Sequence, residues 1–321
     1  MAIVAGIDEA GYGPLLGPMV ISGAAFRVPE EAATGDLWKF FRTSVTAQSS
    51  KARDRLRVTD SKLLHRGEGG LTALERNLLP FLMQLGPMPP TVRALLHGVR
   101  LRDDLSDLDG YPWYQSADPA LPRAADAEAL PRAAERLKAG LDRAGGEFCW
   151  ARLDLLDAAE FSREVVASDN KSAPGGRCVA ALLVELWDRF GEEGLHVRVD
   201  KQGGRNYYDE FLLANFYGCT LVAHCQGAEE SRYTLRDGKR RMEIAFEPAA
   251  DSRHMPVALA SMLSKYTREV LVEMLNAFWL QRVPGLRPTA GYVEDGRRFL
   301  ADIESARAAE GIPLELLRRC R

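Results

Sequence analysis

Short apolar runs that stop at an acid constrain this chain more than any other feature. Residues 2–7 (AIVAGI) end at Asp8-Glu9, and LHVRVD at 195–200 ends at Asp200. Such runs are too brief for a buried helix and read as strands whose C-terminal ends present carboxylates. After a Gly/Pro turn, Met19 to Phe26 (MVISGAAF) reads as a second strand, antiparallel to the first. FCWARLDLL at 148–156 and CTLVAHC at 219–225 read as further strands. Between 231 and 248 two β-like runs flank Asp237-Gly238, a hairpin signal. Helical apolar spacing runs from Val179 to Phe190 and from about Val257 to Leu280. Strands interleaved with helices predict an α/β layered domain.

Residues 65–147 have a different texture. GEGG at 67–70, PMPP at 87–90 and the Pro/Ala-rich stretch 118–131 surround two helical patterns, near 71–85 and 125–143. This region is expected to be an insertion or a loosely packed lobe. With 46% hydrophobic and 27% charged residues, the composition is that of a globular protein rather than a disordered one. A net charge of −3 gives no global pull on a polyanion, so any nucleic-acid contact must rest on a local basic patch. The five cysteines form no CxxC pair and are odd in number, which argues against a disulfide framework. The N-terminus lacks a basic and apolar leader, and no run approaches the roughly 18 apolar residues of a membrane span. A soluble, cytoplasmic protein is expected.

The chemistry is sought among the acids. Adjacent residues on a strand face opposite ways, so Asp8 and Glu9 converge only at a strand end or bulge. Gly11-Tyr12-Gly13-Pro14 follows and supplies such an irregularity. Asp200 ends a second strand and Asp251 precedes the long helix. Carboxylates gathered at one sheet edge repel one another unless a cation lies between them. Oxygen-only donors suit Mg²⁺ or Mn²⁺, and two such ions roughly 3.5–4 Å apart promote in-line displacement at phosphorus. Periodicity alone does not show that these acids meet. The glycines at 11, 13 and 17 are not a dinucleotide loop, because the spacing is GxGxxxG and two acids precede it.

Residues 6–18, GIDEAGYGPLLGP, resemble the opening signature of the type 2 ribonucleases H (the ribonuclease HII family), GxDEAGRGPxxGP. Asp60-Ser61-Lys62 is similar to the family's DSK motif. Asp251-Ser252-Arg253 followed by Ala260 to Glu269 is similar to its GDSxx…AASIxAKVTRD stretch, with the same internal spacing. Gly291-Tyr292 resembles its GYxT motif, and GIPLELLRR at 311–319 weakly resembles its closing block. The matches are collinear over 1–62 and about 148–321 and leave the middle region uncovered.

The resemblance implies an RNase H-like mixed sheet flanked by helices, built from 1–64 and 148–283, with an inserted lobe at 65–147 and a C-terminal helical segment at 284–321. It implies metal-dependent cleavage of RNA in RNA–DNA hybrids, including ribonucleotides embedded in duplex DNA. Asp8, Glu9, Asp200 and Asp251 fall on the family's metal ligands. Gly11, Tyr12 and Gly13 would line the ribose, Tyr292 would stack at the RNA–DNA junction, and Lys62, Lys201 and Arg205 would neutralise phosphates. Two departures stand out: Tyr12 replaces an arginine, and Lys201-Gln202-Gly203-Gly204-Arg205 follows Asp200 where the family has glycine. A tyrosine offers stacking or a single hydrogen bond in place of a bidentate guanidinium. Two competing readings are a nuclease for another nucleic-acid structure and a non-catalytic nucleic-acid-binding protein.

Overall fold

The computed structural model describes residues 1–48, 54–67, 69–102, 104–201 and 203–320. Glu68 of the GEGG breaker, Gln202 behind Asp200 and the terminal Arg321 lie outside the described residues.

The chain opens with β1 (Ala2–Ala10) and β2 (Met19–Val28), then α1 (Leu37–Phe40) and the two-residue strands β3 (Val45–Thr46) and β4 (Leu56–Arg57). A helical stretch follows: α2 (Ser61–Gly67), α3 (Leu71–Leu82), α4 (Val92–Val99), α5 (Ser106–Asp109), α6 (Pro112–Gln115) and α7 (Ala129–Ala144). Alternation resumes with β5 (Glu147–Leu156), α8 (Ala158–Ser168), α9 (Ala173–Phe190), β6 (Leu195–Asp200) and α10 (Asp209–Asn215). The last elements are β7 (Thr220–Gln226), β8 (Ser231–Asp237), β9 (Arg240–Glu247), α11 (Met255–Leu280) and α12 (Val293–Ala309).

Among the described residues, seven strands form one sheet in the order β5-β2-β1-β6-β9-β8-β7. β2 is antiparallel to β1 and β5, whereas β6 runs parallel to both β1 and β9. This is the mixed sheet flanked by helices that the sequence leads one to expect. The expected hairpin turns at Gly238, whose φ of 55° suits a residue without Cβ. Alternation along β1 sends Ala2 and Val4 to the face covered by α11, and Ile3, Ala5 and Ile7 to the face covered by α9. Gly6 lets α11 lie directly on β1: a Cβ there would stand 2.2 Å from the Val257 nitrogen.

The stretch 65–147 is not loosely packed. Leu74, Leu78, Leu79, Phe81, Leu95 and Trp113 are buried in the core that also holds Phe26, Leu263 and Phe278. Its breakers separate short helices rather than mark a floppy region. Glu75, fully buried on α3, accepts hydrogen bonds from the backbone N–H groups of Arg123 (2.5 Å), Ala124 (2.8 Å) and Ala125 (2.8 Å), and from the Tyr266 hydroxyl (2.8 Å). One carboxylate therefore ties α3 to the segment before α7 and to α11.

Candidate metal centre

β1 extends three residues past its last pairing with β6, Ile7 with Val199. Asp8 and Glu9 lie beyond that pair, and β6 ends at Asp200. β2 still pairs with Glu9 on one side, but β6 no longer does on the other, so the Glu9 side chain has room to turn towards Asp8, although the two residues alternate on the strand. Carboxylate oxygens of Asp8, Glu9 and Asp200 all lie within 4.8 Å of one another.

Asp251 is outside that tight set. It occupies a 3-10 turn, Ala250–Ser252, immediately before α11, and its charge still acts on Asp8 and Asp200. Of the four predicted ligands, three converge and the fourth stands at the rim. Position 250 explains the join: its backbone N–H donates to the Asp200 carboxylate at 2.7 Å, pinning the turn to the end of β6.

Asp8 is 7% exposed, and burial holds its carboxyl well above the usual range; Glu9, Asp200 and Asp251 push it further, and a hydrogen bond from Ser261 opposes the rise. Asp200 is pushed up to about 6 by burial and by Asp251, against the Ala250 N–H, Lys62 and Arg253. Burial also raises Asp251, with Asp60 adding to the rise and Lys62 countering it. Acids held this close hold protons more tightly because their charges lack counterions. Buried all-oxygen donors with unrelieved repulsion fit a hard divalent cation.

A serine ladder fixes Asp8 from α11. Ser264 donates to the Asp8 carbonyl at 3.0 Å and lies 2.8 Å from the Ser22 hydroxyl, which donates to the Ala260 carbonyl at 2.6 Å. Ser61 lies 3.0 Å from Ser261, which brings the Asp60-Ser61-Lys62 segment to the same place. Lys62 is exposed there, and its charge reaches both Asp200 and Asp251.

The glycine loop is braced from beneath by two buried arginines. Arg319 donates to the carbonyls of Gly11 and Gly17, the latter at 3.0 Å from Nε. Arg268 donates to the Leu16 carbonyl at 3.3 Å and the Ala290 carbonyl at 3.0 Å. Gly11 needs its φ of 90°, and a Cβ there would collide with Arg268 and the Pro18 carbonyl. A Cβ at Gly13 would meet nothing within 4 Å, so the backbone there is open to a ligand. The Gly291 carbonyl accepts from the N–H groups of Leu15 (2.7 Å) and Leu16 (3.1 Å), which brings the half-exposed Tyr292 beside this loop.

The two predicted phosphate contacts that follow Asp200 are placed differently. The Lys201 ammonium donates to the carbonyls of Gly227 and Ala228 and to the Asn206 side chain, so it fastens the β7–β8 turn. The Arg205 guanidinium lies 5.6 Å from the Tyr208 ring and 5.7 Å from the Phe211 ring, in a narrow cleft that also contains Asp200. The basic residues of the β8–β9 hairpin lie at the opposite end of the sheet, since Arg240 starts the strand that ends beside Asp200 at Glu247. Arg240 there pairs with Asp188 at 3.2 Å, and Arg241 pairs with Glu243.

Sequence reasoning missed Glu247. It stands in register with Asp200, is buried, and takes an ion pair from Arg253 at 3.2 Å and a 3.1 Å contact from His254. Those contacts tie the segment that carries Asp251 to the end of β9. No local motif marks this residue; only strand register reveals it.

Fold and site define an α/β protein, a mixed sheet flanked by helices, with a carboxylate cluster at the C-terminal ends of two adjacent parallel strands. No family model matches the sequence, and no curated protein matches it. Similar solved structures include ribonuclease HII of Archaeoglobus fulgidus, in a complex with PCNA (15% identity, TM-score 0.43, covering 99% of this chain and 96% of that one). Ribonuclease H2 of Pyrococcus horikoshii OT3 aligns at 16% identity and a TM-score of 0.42, covering 98% of this chain and 92% of that one. Bst-RNase HIII in complex with Mn²⁺ aligns at 16% identity and a TM-score of 0.43, covering 99% of this chain and 66% of that one. Ribonuclease HII, the family that the sequence resembles, is thus among the structures this chain is similar to, as is a ribonuclease HIII.

Proposed function

We propose that this chain is a type 2 ribonuclease H, an endonuclease that hydrolyses RNA in RNA–DNA hybrids or ribonucleotides embedded in duplex DNA with Mg²⁺ or Mn²⁺. The observation that carries the reading is the convergence of Asp8, Glu9 and Asp200 within 4.8 Å at one sheet edge. The GIDEAGYGP signature that contains the first two acids supports it.

In this reading Asp8, Glu9 and Asp200 hold the divalent ions and Asp251 joins them from the rim. The ions supply charge neutralisation at the scissile phosphate and activation of the attacking water. Ser261 and Ser264 fix Asp8, and the Ala250 N–H fixes Asp200, so the donors are oriented before substrate arrives. Lys62 offsets negative charge beside Asp200 and Asp251. The open backbone at Gly13 takes the ribose side, with Tyr12 beside it and Tyr292 at the RNA–DNA junction. Cleavage leaves 5′-phosphate and 3′-hydroxyl ends. The division into 1–64 with 148–283, the lobe at 65–147 and the segment 284–321 belongs to the same proposal, as does a cytoplasmic location. Among the described residues no helix is long and apolar enough to cross a membrane.

End-labelled duplexes carrying four, one or no ribonucleotides, incubated with Mg²⁺, Mn²⁺ or EDTA, test the reading. Metal-dependent cuts confined to ribonucleotide-containing duplexes are expected. Equal cleavage of the all-DNA duplex points instead to a nuclease of other specificity, and salt-sensitive binding without any product points to a non-catalytic binder.

A further inference from the structure

A substrate phosphate near the carboxylates needs cations that are not already committed. Lys201 is bound to carbonyls, and the hairpin arginines Arg240 and Arg241 are ion-paired at the far end of the sheet. Lys171, just before α9, is exposed and makes no ion pair among the described residues. Its ammonium lies over the Tyr12 ring, 5.3 Å from the centroid. Glu9 acts on the Tyr12 phenol, so one aromatic ring separates Lys171 from the acidic cluster.

Lys171 and Tyr12 wall a cavity of about 190 Å³ whose lining also includes Gly13, Phe161 and Arg319 and, among the described residues, no carboxylate side chain. Liquid water takes about 30 Å³ per molecule, so the space exceeds that of one or two waters. Arg319 is 3% exposed and spends its donors on carbonyls, and among the described residues its charge has no salt bridge; Asp157 offsets it only at a distance. An uncovered cation on one wall and a buried, unneutralised one on another make the cavity attractive to an anion. The adjoining groove shares Leu15, Arg319 and Cys320 with it and adds Arg297, Arg318 and one acid, Glu304, which is paired with Arg307, so basic side chains outnumber acidic ones along it.

We infer that the cavity between Tyr12, Lys171 and Arg319 is a phosphate subsite that takes a backbone phosphodiester of the substrate duplex beside the scissile one. The inference rests on the proposed nucleic-acid substrate. Lys171 makes the direct contact, the Tyr12 ring holds its ammonium by a cation–π contact, and Arg319 supplies the field.

Duplex binding is measured in EDTA by fluorescence anisotropy across a salt series, with a duplex carrying one ribonucleotide. Lys171→Gln is expected to reduce the steepness of log K against log salt by about 0.9, which corresponds to roughly fivefold weaker binding at about 0.15 M salt. Lys171→Arg should restore the slope, and Lys239→Gln on the distant hairpin should not change it. In turnover, Lys171→Gln should raise KM by a similar factor and leave kcat within about twofold. A Lys171→Gln slope equal to that of the starting protein overturns the subsite. So does saturable binding of inorganic phosphate that Lys171→Gln abolishes while the duplex slope stays unchanged. Because the slope is read from binding without metal, it decides the subsite even where the cleavage assay goes against the ribonuclease reading.

Discussion

Asp8 is the most buried of the clustered acids, and its position predicts opposing effects of one substitution. Asp8→Asn removes a ligand and a buried charge together. Metal-dependent cleavage should fall by at least about a hundredfold, whereas the metal-free protein should melt higher, on the order of 2–4 °C per kcal/mol of relieved repulsion. Melting curves in EDTA check the second part, and an unchanged or lower Tm would count against a strained cluster. Asp157 offers a separate pH test. It is 3% exposed, accepts the Ala158 N–H at 2.7 Å at the start of α8, and burial pushes it up to about 6. An acid with a raised folded pKa favours folding most below its unfolded pKa, and that contribution is lost as pH rises through the folded pKa. Relative to Asp157→Asn, the protein should therefore lose on the order of 2–3 kcal/mol between about pH 4 and 6 and then level off. A flat difference across that window in denaturant melts would refute it. At this scale the strand-end acids were legible in sequence, but that Asp8, Glu9 and Asp200 come within 4.8 Å of one another is visible only in the fold. Lys201 turns to the β7–β8 turn whereas Arg205 lines the cleft with Asp200, a difference that proximity in sequence to Asp200 does not reveal. Lys171 was missed because its neighbour Tyr12 is nearly 160 positions away.

Elements are placed by close contacts that periodicity does not reveal. α11 reads clearly as a helix, yet its seating on β1 depends on Gly6, where any side chain meets the Pro256–Val257 backbone. Gly6→Ala is expected to displace the start of α11, and with it Asp251 and the serine ladder. Overpacking of this kind costs about 1–3 kcal/mol, and cleavage should drop more than stability does. Chemical denaturation beside the cleavage assay separates the two. The strands and the hairpin were legible because alternation has a period of two and Asp237-Gly238 has few other uses. The short helices α4, α5 and α6 were not, since four to eight residues between breakers carry too few turns to display a period. Glu247 stayed hidden for a related reason: an acid at a strand end looks ordinary until register sets it beside Asp200.

Across the whole molecule, one apolar core joins the sheet, α11 and the helices of 71–144. The breaker-rich composition of 65–147 pointed to looseness because it reports chain reversals and not how tightly the pieces pack. Glu75 links three of those pieces through hydrogen bonds to 123–125 and Tyr266. Glu75→Ala would leave those buried donors unpaired, and a loss on the order of 3 kcal/mol or more is expected in a denaturant melt. A loss under about 1 kcal/mol would mean that the three pieces hold together without it. This scaffold keeps mutually repelling carboxylates close enough to require cations, and the account of the protein depends on that convergence. Calorimetric titration with Mn²⁺ measures it most directly. Saturable binding that Asp8→Asn removes is the predicted result, and undiminished Mn²⁺ affinity in a folded Asp8→Asn protein would contradict it.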